Sequence, residues 1–476
     1  MLERLEISEI AFSNIDHIKN RLDAEYYQKR YLLIDRKIKS IGEFNLMNIK
    51  AKLDCSAFYP SITEFYNFEG KGIPFLRVNE IKEGLVKLTE STAFLPQHIL
   101  DANTGTIAIG YPGDLIIAKG GNTLAKVGLI TSQYEKYALS RDIILVRTND
   151  LQGYNKFFLW LFLHCEYGQA LLWRTASQTG QPHLTLPSVN EINLPKYGFS
   201  FESIIEKLYK ESVNLNDSFG LIYRKAEHLL LKEIGLLNFQ PREEPVNVKS
   251  FKDSFGLCGR LDAEYYQKKY EDYLSLIEAY FNGFEKLDVV CDVKIQNFSP
   301  ERETQYKYIE LSNIGKTGNI TGCTTDLGKD LPTRARRVVN ANDVIISSIE
   351  GSLQSCAIVT SDFDNALCST GFYVIKSDTI NSETLLVLFK SDLMQNILKQ
   401  NCSGTILTGI NKDEFSSIKI PLVSKKIQIK IAELLNESFE LKKQSGHLLK
   451  VAKRSVEIAI EENEAEALKY IHQNMI

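Results

Sequence analysis

The nonapeptide RLDAEYYQK occurs twice without a mismatch, at 21–29 and at 260–268, a spacing of 239 residues. Nine identical residues do not recur by chance, so the chain is read as an internal duplication and must fold as two similar units. Further anchors fall into line. FLRVNEI, ending at Ile81, matches YIELSNI, ending at Ile314, at a spacing of 233. GDLIIAKGGNTLAKVGLIT pairs with NDVIISSIEGSLQSCAIVT, Asp114 over Asp343, at 229, and VNEINLP with EFSSIKIP, Pro195 over Pro421, at 226. The drift from 239 to 226 puts insertions and deletions inside each unit; after Pro195 the spacing stays at 226. Each half is therefore a globular part of variable content followed by an element of fixed length.

That element reads as a long helix. From Ile205 a seam runs through Leu208, Ser212, Leu215, Phe219, Ile222, Ala226 and Leu229; from Ile431 the same register gives Leu434, Ser438, Leu441, Ser445, Leu448, Ala452 and Ser455. Alternating steps of three and four keep one narrow stripe toward a partner, which is the coiled-coil pattern. Ser and Ala in the seam permit close approach at some loss of apolar area. The two helices most simply pair with each other, antiparallel; a seam turned toward another protein is the alternative. The globular parts read as mixed α/β, with short β-branched runs such as DLIIA, DIILVRT, DVIISSI and GFYVIK bounded by Gly, Asn and Asp. Helices are expected near Phe157 to Leu172 and Thr384 to Leu398. NFQPREEPVNV has two prolines and no periodicity, and 240–248 reads as a linker. The fold expected is mixed α/β recognition domains in two tandem copies, separated by long helices that form an antiparallel coiled coil with pseudo-twofold symmetry. Its expected parts are a first domain at 1–200, a spacer helix at 201–239, linker and second domain at 240–422, and a second spacer helix at 423–476.

Composition bounds the function. With 44% hydrophobic and 24% charged residues the 476-residue chain is ordinary globular protein, neither disordered nor collagenous. A net charge of −4 means that any nucleic-acid contact has to use local basic patches. Eight cysteines without a C-x-x-C pair, beside seven histidines, leave a zinc site unsupported and suit reduced thiols in a cytosol. The opening MLERLEISEI carries charges where a signal peptide needs an apolar core. The longest apolar candidate, FFLWLFLHCEYGQALLW, is broken by His164, Glu166 and Gln169 and reads as a buried helix. A soluble cytoplasmic protein, not associated with a membrane, is the expectation.

Enzyme readings fail at the level of motif. Lys316 and Thr317 after Gly315 suggest a phosphate loop, but Glu310 stands in the place of its first glycine. A nuclease-like set of Asp54, Glu80 and Lys82 has Asn313 and Gly315 as repeat counterparts of the latter two. The chain has no Pro-Pro pair for an amino-methylation motif.

The duplicated RLDAEYY, the G-D-hydrophobic strand entering a small polar loop, and the INLP or IKIP segment directly before a long helix together resemble the specificity subunit of type I restriction-modification systems. The resemblance covers essentially the whole chain, in the order recognition unit, helix, recognition unit, helix. It implies a non-catalytic subunit that binds double-stranded DNA, each unit reading one half of an asymmetric bipartite site. The helices would act as spacer and dock two methyltransferase subunits and, through them, restriction/translocase subunits. No cofactor is expected on this chain; S-adenosylmethionine, ATP and Mg belong on the partners. The loop SSIEGSLQS departs from the pattern, with Glu350 where a phosphate contact would want a cation.

Candidate DNA contacts follow from residue chemistry. AKGGNTLAK offers Lys119, Asn122, Thr123 and Lys126 around two glycines, with Asn suited to adenine and Lys to phosphate or guanine. A plain hairpin turn with solvated lysines is the alternative. WRTASQTGQPH adds Arg174, Ser177, Gln178, Thr179, Gln181 and His183, a donor-rich loop that is costly to order unless something binds it. The second unit offers Ser352, Gln354 and Ser355, then Ser403, Thr405 and Thr408, and as a phosphate patch Lys307 with Arg334, Arg336 and Arg337. The duplicated motif itself reads as a structural or docking anchor, since recognition residues should differ between halves. The rival class is a coiled-coil protein-binding adaptor; a nearer one is the recognition subunit of a methylation-only or other defence system.

Overall fold

The computed structural model describes residues 7–12, 15, 21–42, 44–58, 61–89, 91–177, 180–404 and 408–475. Contacts divide the chain into two compact units, Met1–Asn214 with Gln444–Ile476, and Leu215–Lys443, so each division falls inside a long helix.

The first unit is built on two mixed sheets. In one, the strands run Lys52–Asp54, Ile143–Arg147, Leu115–Ala118, Val127–Leu129, Leu85–Val86, Ile81–Lys82; in the other, Ala93–Leu95, Ile73–Leu76, Tyr137–Leu139, Ile109–Gly110. Leu115–Ala118 is buried along its whole length, as a central strand covered on both faces must be. Asp114 sits immediately before it, 1% exposed, and is satisfied by the amides of Tyr111 and Thr148 at 3.0 Å each. The apolar run after Asn155 is buried, as expected, but forms two helices, Lys156–His164 and Glu166–Thr175, rather than one. The break at Cys165 lets Gly168 pack against the first helix: a Cβ there would lie 2.0 Å from the Phe162 carbonyl.

The second unit repeats these ingredients. One sheet orders Asp292–Lys294, Phe372–Lys376, Val344–Ser347, Cys356–Ile358, and the other Thr324–Leu327, Gln305–Ile309, Ala366–Ser369, Ala335–Val339. Two helices, Ser382–Lys390 and Asp392–Gln400, again meet at a short break. Asn155 and Asn381, 226 residues apart, cap the first helix of each pair with their side chains. Both also fasten it to the neighbouring long helix, Asn155 to Glu202 at 3.0 Å and Asn381 to Gln428 at 3.0 Å.

The long helices span Phe199–Glu233 and Lys425–Glu461; a separate helix, Glu464–Asn474, follows the second and is capped by Asn463. In the first unit Ser212 and Ser445 face each other with reciprocal bonds, Ser212 Oγ to the Ser445 carbonyl at 2.9 Å and Ser445 Oγ to the Ser212 carbonyl at 2.8 Å. In the second, Ser438 Oγ donates to the Phe219 carbonyl at 3.1 Å and Lys442 Nζ to Asn216 Oδ1 at 2.7 Å. Within the second unit Asn216 meets Lys442 and Phe219 meets Ser438, so the segments paired there are antiparallel. Ile205, Ser212, Phe219 and Ala226 are buried at heptad spacing, whereas Leu215, Ile222 and Leu229 are only half-buried and Tyr223 and Leu230 are buried instead. A straight helix drifts about 20° per heptad, which moves the buried stripe by one residue along this length.

Candidate nucleic-acid interface

In the first unit three segments distant in sequence meet at Lys119. Its amide donates to the Asp142 carbonyl in the strand-to-strand turn 140–142, at 2.8 Å, and its carbonyl accepts from the Leu184 amide, at 2.8 Å. Gly120 pairs with His183, which also pairs with Ser177, so the glycine loop lies edge to edge with the backbone at His183. A Cβ on Gly120 would meet His183 Nδ1 at 3.0 Å and the Pro182 carbonyl at 3.2 Å; glycine there admits the close approach. Asn122, Lys126, Gln181 and His183 are exposed on this face and Lys119 is half-buried. Among the described residues no hydrogen bond takes up the side chain of Lys119, Asn122, Lys126 or Gln181. Thr123, by contrast, closes its own turn on the Gly120 carbonyl at 3.2 Å. Gln178 and Thr179 lie outside the described residues.

The second unit is wired alike. The Ser348 amide donates to the Gly371 carbonyl and its carbonyl accepts from the Ile410 amide, both at 2.9 Å, and Ile349 pairs with Gly409. A Cβ on Gly409 would lie 2.8 Å from the Ser348 carbonyl. The side chains on this common backbone differ. At a spacing of 229, Lys119, Lys126 and Arg141 of the first unit correspond to Ser348, Ser355 and Thr370 of the second, and Gly121 to Glu350. The first set is cationic; the second is half-buried hydroxyls and a carboxylate, with Ser348 Oγ donating to the Gly371 carbonyl at 3.0 Å. Gln354 is exposed here and Thr408 half-buried, while Thr405 lies outside the described residues. Ser352 is taken up internally by Ser347 Oγ at 2.9 Å and the Ile349 carbonyl at 3.3 Å, which corrects its reading as a contact.

Three further expectations need correction. Arg174 is buried: it pairs with Asp35 at 3.1 Å, donates to the Tyr26 carbonyl at 3.0 Å and lies 4.3 Å from the centre of the Tyr26 ring. It supports the loop from beneath and reaches no groove. Arg337 likewise donates to the Lys294 carbonyl at 3.2 Å and packs over Tyr373. The remaining cations do not make one patch. Lys307 bonds the Asp362 carbonyl at 2.7 Å, before the strand Ala366–Ser369, whereas the Arg334 carbonyl accepts from Thr370 at 2.9 Å, beyond its other end. Arg334 is exposed beside the loops; Arg336 is half-buried and bonded to the Thr333 carbonyl at 3.1 Å.

The duplicated motif clamps the chain just upstream of these loops. Arg21 grips Asp23 with two bonds of 2.6 and 2.7 Å and donates to the Thr175 and Ala176 carbonyls at 3.2 and 3.1 Å, closing the helix end that enters the loop. Arg260 does the same with Asp262 at 2.8 and 2.7 Å and the Cys402 carbonyl at 2.9 Å. Tyr27 and Tyr266 donate back to the arginine carbonyls at 2.9 and 3.0 Å. The fork holds both aspartates below the ordinary carboxylate range. Sequence reasoning missed Arg141, whose guanidinium lies 5.6 Å from the centre of the exposed Phe58 ring. The repeat register carried the signal, since Arg141 and Thr370 diverge between anchors that are kept.

Asp54 pairs with Arg147 at 2.9 Å, and Glu80 is buried, accepting from the Arg77 amide at 2.8 Å. Both are committed to the fold. Among the described residues no group of three or more His, Cys, Asp or Glu is placed to hold a metal ion. Burial pushes the Cys165 and Cys368 thiols up to about 12, which leaves them without nucleophilic thiolate. Among the described residues no helix is long and apolar enough to cross a membrane.

Residues 285–448 match the family described as "Type I restriction modification DNA specificity domain". The chain is 29% identical over 154 residues to the type I restriction enzyme HindI specificity subunit of Haemophilus influenzae; the match spans 30% of this chain and 33% of that relative. Among solved structures it is similar to a type I restriction-modification S subunit from M. genitalium, with 12% identity and a TM-score of 0.42 over 88% of this chain and 95% of that one. It is also similar to the HsdS subunit from Thermoanaerobacter tengcongensis, with 13% identity and a TM-score of 0.26 over 87% and 97%. At those scores neither superposition bears on function.

Proposed function

We propose that this chain, which carries a type I restriction modification DNA specificity domain at 285–448 and is similar to type I specificity subunits, reads an asymmetric bipartite DNA site, one half-site with each unit. The observation that carries the reading is the pair of loop junctions at Lys119 and Ser348, which share backbone bonds and differ in the side chains they expose. A common scaffold with unlike donors and acceptors is what reading two different base sequences requires. Lys119, Lys126 and Arg334 would hold phosphates, and Asn122, Gln181, His183, Gln354 and Thr408 would meet base edges. Gln178, Thr179 and Thr405, outside the described residues, stay in the proposed set.

The proposal extends to the architecture. The two units would be tandem copies about a pseudo-twofold axis, with the long helices as an antiparallel spacer that sets the gap. The equal 226-residue offsets of the Ser212–Ser445 and Ser438–Phe219 contacts support it. Residues 1–200 and 240–422 would be the reading parts, and 201–239 and 423–476 the spacer. The chain would work in the cytoplasm without chemistry of its own, docking two methyltransferase subunits and restriction/translocase subunits, which would bring S-adenosylmethionine, ATP and Mg.

Co-purification with the cognate methyltransferase and mapping of methylated adenines tests this. Gln181→Ala should relax the first half-site alone. Equal loss at both half-sites, or methylation at sites without two separated clusters, would sink the proposal. One heptad inserted between Ser203 and Glu233 should change the tolerated gap.

A further inference from the structure

The strand Lys52–Asp54 lies antiparallel to Ile143–Arg147 with Asp54 opposite Leu145, so the chain beyond Asp54 runs toward the turn 140–142. Three bonds pin it there. Buried Ser56 donates its Oγ to the Leu139 carbonyl at 2.6 Å and accepts the Ala108 amide at 2.9 Å. The Ala57 amide donates to the Thr106 carbonyl at 2.8 Å. Phe58, the next residue, is nevertheless 77% exposed. The Arg141 guanidinium stands over its ring, 5.6 Å from the centre, and the neighbouring Asp142 carbonyl accepts the Lys119 amide. A phenyl ring is thus held out in solvent next to the junction at Lys119.

The second unit packs the same position. Lys294 lies opposite Val374 as Asp54 lies opposite Leu145, so Phe298 is the counterpart of Phe58, four residues further on in each case. Phe298 is half-buried: its amide donates to the Arg336 carbonyl at 2.6 Å, and its ring meets Tyr306 with centroids 5.8 Å apart. Thr370 stands where the first unit has Arg141. A single exposed apolar residue is normal on any protein. This one sits on a pinned segment, forgoes the burial that its counterpart takes, and adjoins a cationic junction.

The apolar group that a duplex offers in its major groove is the C5-methyl of thymine, and phenylalanine is one of the side chains suited to it. Insertion between base pairs would need both faces of the ring, and Arg141 covers one. We propose that Phe58 reads the C5-methyl of a thymine in the half-site bound by the first unit, a specificity contact that the packed Phe298 does not make. The inference rests on the proposed function and deepens it by naming the chemical group that is read.

The test uses the full chain with its methyltransferase and duplexes carrying the mapped site. Each thymine is replaced in turn by deoxyuridine, which pairs alike and lacks only the methyl group. Affinity should fall about fourfold, the worth of one buried methyl, at one position of one half-site. Phe58→Ala should bind the thymine duplex with that lower affinity and be indifferent to the replacement, with an unchanged unfolding midpoint. Phe58→Leu, which keeps an apolar side chain, should restore part of the sensitivity. The scan on the wild-type chain decides the matter even if Phe58→Ala disturbs folding. No sensitive position, or sensitivity retained in folded Phe58→Ala, would overturn the inference and leave DNA reading intact. A 2-aminopurine signal that rises when the wild type binds, and not when Phe58→Ala does, would show insertion between bases and overturn the methyl contact. A wild-type complex without sequence-dependent binding would overturn both this inference and the proposed function.

Discussion

Arg174→Met separates a fold-supporting arginine from a DNA-reading one. Arg174 is 9% exposed and Asp35 8%, and the carboxylate is also held by Lys39 at 3.0 Å and Asn193 at 2.5 Å. Met retains most of the apolar bulk, so the loss is chiefly charge and hydrogen bonding. Removing one partner of a buried pair costs roughly 3–5 kcal/mol, because the other charge is left uncompensated. Lys39 remains, which places the expected loss near about 3 kcal/mol, or a midpoint shift of roughly 6–12 °C for a unit of this size. Both tryptophans, Trp160 and Trp173, belong to the first unit, so their fluorescence reports its unfolding selectively.

The pH dependence adds a second check. Burial raises the Asp35 pKa, but Arg174, Lys39 and Asn193 together bring it below its ordinary value. In the wild type that contribution is present above the unfolded value of about 3.9 and is lost as pH falls through the lowered folded value. In the variant burial acts with less opposition, the carboxyl titrates higher, and protonation relieves the unpaired charge. The deficit should therefore shrink between about pH 7 and pH 4. A loss under about 1 kcal/mol, or a deficit independent of pH, refutes the reasoning. Lost DNA affinity in a variant of unchanged stability would restore Arg174 as a contact.

Lys126→Ala should weaken DNA binding by the complex evenly across sequences and reduce the slope of log K against log salt by about 0.9; a change confined to one base would reassign it to base reading. Gly168→Ala should cost about 3 kcal/mol by forcing a methyl against the Phe162 carbonyl, measurable as a lowered unfolding midpoint of the first unit. Burial, with Lys453 nearby, lowers His164 to about 4, against the pull of Glu83. The unfolded chain then binds more protons between about pH 6.5 and 4, so stability falls as pH drops through that window. The His164 ring signals should stay constant from about pH 8 to 5, and a titration midpoint near 6.5 would contradict the burial.

By itself the sequence determined the repeated nonapeptide, the kept and diverged positions around it, and the heptad stripe, because each is a pattern carried by the chain's own numbering. The contacts of Ser212 with Ser445 in the first unit and of Ser438 with Phe219 in the second use seam residues that the stripe had marked. Tertiary structure decided what the polar loop residues do. Arg174 and Gln181 sit in one donor-rich stretch, yet Arg174 is taken by Tyr26, 148 residues away, while Gln181 stays in solvent. Neither local propensity nor spacing encodes that choice, since it depends on which distant segment arrives to desolvate a given cation. The junction at Lys119 has the same origin: its bonds are made through backbone atoms, which every residue possesses, so no side-chain pattern announces them.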